Sequence, residues 1–193
     1  MNIITATHFG MCFGVREALR RSHDAAASGP VTILGSLVHN PVVQEHLTTL
    51  GVREGKLEDM NSSGTARVMI TAHGAADRDR AAWREAGFAV TDTTCPLVHR
   101  AHQALAVLVA QGYQPVVIGQ CGHVEVRGLV GDFPHAVVVE SEEDFPAIPE
   151  AARYGVVSQT TQPIVRVRQV VESLRGYCAP AEVLFRDTVC QPT

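Results

Sequence analysis

The sequence predicts an α/β protein made of two related three-layer lobes with mainly parallel sheets. Three observations carry this expectation. Short β-branched runs alternate with helical stretches along the whole chain, the pattern of strands joined by helical crossovers. The signature Asp92-Thr93-Thr94-Cys95-Pro96 returns near the end as Asp187-Thr188-Val189-Cys190. A glycine follows nearly every helical stretch and stops it. With 193 residues, 46% of them apolar, the chain is long enough for two modest cores.

A looser copy of the signature opens the chain, where Ile3-Ile4-Thr5-Ala6-Thr7 reads as extended and runs into Gly10-Met11-Cys12. Val15, Ala18, Leu19 and Ser22 then fall at helical spacing, and Gly29-Pro30 ends that helix. Residues 31–34 read as a strand. Asn40 and Pro41 supply an N-cap and a first-turn proline for a helix that ends at Gly51. The polar, glycine-containing stretch 54–65 reads as a loop with one helical turn at most. A strand over 68–71 and a helix over 77–86 follow, with Gly87 as the stop, and 88–91 is extended into Cys95. The second half repeats the scheme. A helix spans 97–110 and ends at Gly112, and strands cover 116–118 and 136–139 with a glycine-flanked loop and a short helix between them. A strand over 155–158, a helix over 164–174 closed by Gly176, and an extended 183–185 lead to Cys190. Lobe boundaries are expected at 1–95 and 96–190, with 191–193 as the start of a third lobe.

Composition excludes several function classes. Sixteen basic against twenty acidic residues, with no basic block and few aromatics, leave no electrostatic footprint for nucleic acid. No apolar run reaches the ~18 residues of a bilayer span. The N-terminus lacks a charged region followed by an apolar one, so no export signal is expected. Five cysteines without such a signal argue for free thiols in a reducing cytoplasm rather than a disulfide framework.

In parallel α/β sheets ligands gather at the carboxyl ends of strands. Those ends carry Ser36-Leu37-Val38-His39, Ala72-His73-Gly74, Gly122-His123-Val124-Glu125 and Ser158-Gln159-Thr160-Thr161, besides the three signature cysteines. A lone loop histidine is ordinarily solvated, but His39, His73 and His123 share one placement. His8, His23, His46, His99, His102 and His135 do not share it, and Cys121 and Cys178 lie outside the signature. Cysteine at a strand-to-helix switch meets the unpaired amides of a helix start, which favour thiolate. The alternative for each cysteine is a small buried hydrophobe. Structural zinc uses close pairs such as C-x-x-C, and none is present; Cys95, His99 and His102 offer half a site on one helix. Three widely separated thiols suit an iron–sulfur cluster better.

Taken together, Gly10-Met11-Cys12-Phe13-Gly14-Val15, Val38-His39-Asn40, Ala72-His73-Gly74, Asp92-Thr93-Thr94-Cys95-Pro96-Leu97-Val98, Gly122-His123-Val124-Glu125-Val126, Ser158-Gln159-Thr160-Thr161 and Asp187-Thr188-Val189-Cys190 resemble the 4-hydroxy-3-methylbut-2-enyl diphosphate reductase family. The resemblance covers residues 1–190 in the family's order. It implies a [4Fe-4S] cluster on Cys12, Cys95 and Cys190, with one iron open to substrate. It implies that His39, His73 and His123 line a diphosphate pocket. Glu125, with His123 and Thr160, would serve proton delivery at the hydroxyl-bearing end of the substrate. The implied reaction is a reductive dehydroxylation giving isopentenyl and dimethylallyl diphosphate, the last step of the non-mevalonate isoprenoid pathway. Ferredoxin or flavodoxin would supply the electrons. Family members carry a third α/β lobe after the last cysteine, and its absence here leaves room for an oligomer that closes the site. A non-catalytic cluster-binding or electron-transfer module from the same family is the alternative expectation.

Overall fold

The computed structural model describes residue 4, residues 10–38 and residues 40–190. The expected extended stretch over 3–7, residue 4 apart, the strand-end His39 and the third-lobe start at 191–193 lie outside the described residues. Each lobe is built around a four-stranded sheet, and every pairing in both sheets is parallel. The first contains β1 (Val31–Leu34), β2 (Val52–Gly55), β3 (Arg67–Ile70) and β4 (Ala89–Asp92), in the order β2-β1-β3-β4. The second contains β5 (Gln114–Ile118), β6 (Val137–Val139), β7 (Arg153–Ser158) and β8 (Glu182–Phe185), in the order β6-β5-β7-β8. The two orders are the same permutation, so the repeated signature reflects a repeated fold.

Helices cover both faces of each sheet because successive side chains of a buried parallel strand point to opposite sides and both must be apolar. In the first lobe Val31 and Ile33 of β1 face α1 (Phe13–Ala27) and α2 (Pro41–Thr49), packing with Ala18 and Leu47. Leu34, Val68 and Ile70 point the other way, onto Trp83 of α3 (Asp77–Glu85). The second lobe copies this division. Val117 and Val157 meet Leu105 and Leu108 of α4 (Pro96–Ala110) and Leu129 of α5 (Val124–Gly131). Val116, Ile118 and Val156 meet Val167, Val171 and Leu174 of α6 (Ile164–Tyr177). No helix of the described residues is long and apolar enough to cross a membrane.

Three local expectations differ from the structure. β2, which the sequence does not predict, runs into the stretch 54–65 read as loop; it is an edge strand whose residues Arg53 and Glu54 are exposed while Val52 is buried. An edge strand needs apolar side chains only where it touches its single neighbour, so its sequence reads as polar loop. A 3-10 stretch, Glu142–Ala147, replaces the connection after β6, started by reciprocal hydrogen bonds between Ser141 and Asp144. Gly176 does not close α6, which continues to Tyr177.

The lobes meet through small residues. A Cβ added at Gly131 of α5 would lie 2.5 Å from Ala76 Cβ, and one at Gly128 would lie 3.3 Å from Ala75 Cα. Beside that contact the Asp132 carboxylate accepts hydrogen bonds from the amides of Asp77 (2.6 Å) and Arg78 (3.0 Å). Those are orphan amides of the first turn of α3, whose own N-cap, Ala76, has no side chain to serve them. An aspartate of the second lobe thus caps a helix of the first.

Candidate functional site

The Asp-Thr-x-Cys signature is a hydrogen-bonded turn, and both copies make the same bonds. The aspartate accepts from the amide two residues on: Thr94 N to Asp92 Oδ1 at 2.9 Å, Val189 N to Asp187 Oδ1 at 3.1 Å. The threonine hydroxyl donates to the last carbonyl of the adjacent strand, Thr93 to Ile70 O and Thr188 to Ser158 O. The cysteine amide then donates two residues further along that neighbour, Cys95 to Ala72 O at 3.0 Å and Cys190 to Thr160 O at 2.6 Å. Each thiol is therefore fixed by three bonds that tie its turn to the neighbouring strand end.

Cys12 and Cys95 occupy the N-cap positions of α1 and α4, and His123 caps α5. Three helix starts thus deliver two thiols and an imidazole to the carboxyl-end rim. Gly14, in the first turn of α1, touches Cys95: a Cβ there would lie 2.7 Å from Cys95 Sγ. The absent side chain lets α1 approach that thiol, which brings Cys12 and Cys95 together. Burial pushes the Cys190 thiol above its ordinary pKa, and Cys95, Cys12 and Glu125 push it the same way, while Arg100 opposes them. Cys95, Cys12 and Glu125 therefore lie near enough to Cys190 for their charges to act on its thiol. Among the described residues no three His, Cys, Asp or Glu side chains come close enough to share a single metal ion. All five thiols are free; Cys121 is exposed, and Cys178 is half-buried beside Tyr154.

Glu125 is not the loop carboxylate its glycine-flanked context suggests. It sits in the first turn of α5 and is 1% exposed. Thr160 holds it from both sides, its amide donating to Oε1 at 2.6 Å and its hydroxyl to Oε2 at 3.0 Å. Since Thr160 O also receives the Cys190 amide, one residue links the carboxyl to the third thiol. Burial raises the Glu125 pKa, against the Thr160 amide and hydroxyl, which pull it down. The His123 ring accepts the Glu125 amide at Nδ1 (3.2 Å), which assigns the proton of the neutral ring to Nε2. His73 approaches His123 edge-on, ring centroids 5.8 Å apart, and its Nδ1 lies 3.5 Å from Thr71 Oγ1. One histidine comes from each lobe.

Three residues near the rim have surroundings that the sequence did not show. Gly14 matters for what it lacks. Arg80 is buried beneath the Cys95 turn. His102 has a buried Nε2 without a hydrogen-bond partner, and burial, followed by the Arg80 charge, lowers its pKa to about 4. His102 therefore stays neutral, and His99, exposed and 3.9 Å from Asp92, does not join it in a zinc half-site.

Comparison with known proteins gives the family and the fold. Residues 3–193 match the family model described as LytB protein. The chain is 35% identical over 198 residues to the 4-hydroxy-3-methylbut-2-enyl diphosphate reductase of Geobacter sp. (strain M21), covering all of this chain and 68% of that protein. It is 33% identical over 199 residues to the enzyme of the same name from Aquifex aeolicus (strain VF5), again with 68% of the relative covered. A solved structure of (E)-4-hydroxy-3-methyl-but-2-enyl diphosphate reductase superposes with a TM-score of 0.84 at 33% identity, over 97% of this chain and 68% of that one. The Plasmodium falciparum reductase, at 24% identity and a TM-score of 0.85, shares the fold over 95% of this chain and 59% of its own.

Proposed function

This chain belongs to the LytB protein family, and from that premise we propose that it performs the reductive dehydroxylation of 4-hydroxy-3-methylbut-2-enyl diphosphate at an iron–sulfur centre between its lobes. The contact chain Glu125–Thr160–Cys190, facing Cys12 and Cys95, carries this reading. Thiols near enough for Cys95 and Cys12 to raise the pKa of Cys190, yet not drawn around one point, suit a [4Fe-4S] cluster, in which each thiolate takes its own iron. Cys12, Cys95 and Cys190 would hold it. When bound, the cluster supplies electrons and a Lewis-acidic iron with one open position.

The chain's own residues account for the rest. The reaction consumes two electrons and two protons; the C–O bond breaks, hydroxide leaves as water, and the allyl carbon skeleton gains hydrogen. Glu125 holds a proton more readily than a surface glutamate because its burial opposes charge. The Thr160 hydroxyl, already bonded to Glu125 Oε2, relays that proton toward the leaving hydroxyl. His73 and His123, one per lobe, bind the diphosphate, with the His123 Nε2–H as a donor; His39, from its place in the family motif, completes the set. Ferredoxin or flavodoxin provides the electrons.

The test is an anaerobic preparation in which each cysteine is changed to serine in turn. Iron should fall steeply in Cys12→Ser, Cys95→Ser and Cys190→Ser, while Cys121→Ser and Cys178→Ser keep the parent content. Turnover of the diphosphate with a chemical reductant should follow iron. Equal iron in all five variants would refute the ligand set, and an iron-replete chain without turnover would leave only a cluster-binding module.

A further inference from the structure

We propose that Arg80 is a positioning residue that clamps the turn presenting Cys95, acting as the outer-shell support of the first-lobe thiolate. The inference rests on the reading of Cys95 as a cluster ligand and extends it to a residue with no place in the family motifs quoted above. Arg80 is a buried cation, 5% exposed, on α3. Its guanidinium donates to Asp77 Oδ1 at 2.8 Å and to Thr94 Oγ1 at 3.2 Å. Its Nε lies 2.9 Å from Asp92 Oδ2 without aiming its proton there, which makes that contact an ion pair rather than an aligned hydrogen bond. Thr94 in turn donates to Asp92 through its amide and its hydroxyl. Arg80 therefore grips two of the three polar side chains, Asp92 and Thr94, of the turn that ends in Cys95.

A guanidinium stripped of water stays buried only where its partners compensate for the lost hydration. Besides Asp77 of its own helix, those partners are Asp92 and Thr94 of the Cys95 turn, so moving the turn would leave the charge with Asp77 alone. Burial would raise the Asp92 pKa, but the Thr94 hydroxyl, the Thr94 amide and the Arg80 charge outweigh it and hold the carboxyl below its ordinary range. The turn thus keeps its anion, and the clamp its partner, throughout neutral pH.

The second lobe supplies a comparison within the same molecule. There Arg168 of α6 approaches Asp187 at 3.9 Å, the counterpart pair in the counterpart turn. That pair is 69% and 44% exposed, and solvent-screened pairs of this kind contribute little. The same device is therefore rigid under Cys95 and weak under Cys190.

Two measurements, iron loss and thiol labelling, test the clamp. In Arg80→Gln, iron loss on exposure to oxygen should accelerate about tenfold or more, the usual scale for removing outer-shell support. Arg80→Lys, which keeps the charge but not the planar fork, should recover part of that loss. Arg168→Gln should stay near the parent rate. In the iron-free chain, maleimide labelling of Cys95 relative to exposed Cys121 should rise in Arg80→Gln, a readout independent of any cluster. Parent-like iron retention and labelling in folded Arg80→Gln would overturn the proposal. If that variant does not fold, Thr94→Val decides, since at nearly constant volume it removes the hydroxyl that joins Arg80 to Asp92 while the Thr94 amide still holds the turn: faster iron loss supports the clamp, and the parent rate refutes it. Cys95→Ser separates the two layers, because full iron in that variant removes the ligand assignment itself, whereas iron loss there with none in Arg80→Gln removes only the clamp.

Discussion

At the scale of single residues, the site turns on where Glu125 puts its charge. Burial works against ionisation and the two Thr160 donors work for it, with burial winning. A carboxyl whose folded pKa is raised contributes stability that is fully present below the unfolded value, near 4, and is lost as pH rises through the folded value. Above the folded value the fold therefore carries an anion that its burial disfavours, a strained one. Glu125→Gln removes that strain and keeps the geometry, since an amide oxygen can accept the Thr160 amide while the amide nitrogen donates to a turned Thr160 hydroxyl. The expected outcome is a loss of turnover of about 10²-fold or more, the scale of a lost general acid. The variant should melt no lower than the parent at pH 7, and the two melting curves should converge as pH falls below about 4. Kinetic assays and thermal melts across pH check both halves; a large stability loss with unchanged turnover would make Glu125 a structural group.

At the scale of elements, the strand-to-helix switches decide how the thiols meet. α1 reaches Cys95 only because residue 14 has no side chain. A methyl group there would sit 2.7 Å from the thiol sulfur, well inside van der Waals contact, so either the helix or the thiol must move. Gly14→Ala should therefore leave a folded chain, destabilised by about 1–3 kcal/mol, whose iron content drops disproportionately. Iron analysis beside a thermal melt distinguishes this from general unfolding, and parent-like iron would show that the approach of α1 is not what assembles the site. The elements themselves were largely legible in the sequence, because a parallel strand buried on both faces announces itself as a run such as Val116-Val117-Ile118, and Asn40-Pro41 announces a helix start. β2 escaped because an edge strand shows only half of that pattern. Glu125 was legible as a residue but not as a buried one, since glycines on either side of His123 and Glu125 suggest a loop until α5 is seen to begin at Val124. Arg80 gave no sequence signal, Gly14 showed only as part of the Cys12 motif and His102 only as part of half a zinc site: a buried cation in a charge-rich helix, a missing Cβ and a lone imidazole each acquire meaning only from what packs against them.

At the scale of the molecule, the centre belongs to neither lobe alone. Cys12, Cys95 and His73 stand at the rim of the first sheet, while Cys190, Glu125, Thr160 and His123 stand at the rim of the second. Their separation is set some distance away, where Gly128 and Gly131 of α5 lie against Ala75 and Ala76, and where Asp132 caps α3. That contact acts as a spacer, because backbones this close cannot admit a side chain without pivoting one lobe on the other. Gly131→Leu inserts such a wedge, 2.5 Å from Ala76 Cβ, while leaving every proposed ligand and every strand in place. The variant should keep two intact parallel sheets by circular dichroism yet lose iron and turnover together, as the thiols of the two rims part. Gly176→Ala is the matched control: it lies in α6, meets nothing within 4 Å, and should hold iron like the parent while gaining up to about 1 kcal/mol from better helix propensity. If the wedge variant instead keeps its iron, the lobes tolerate a change in spacing and the thiols are joined by their own turns rather than by the interface.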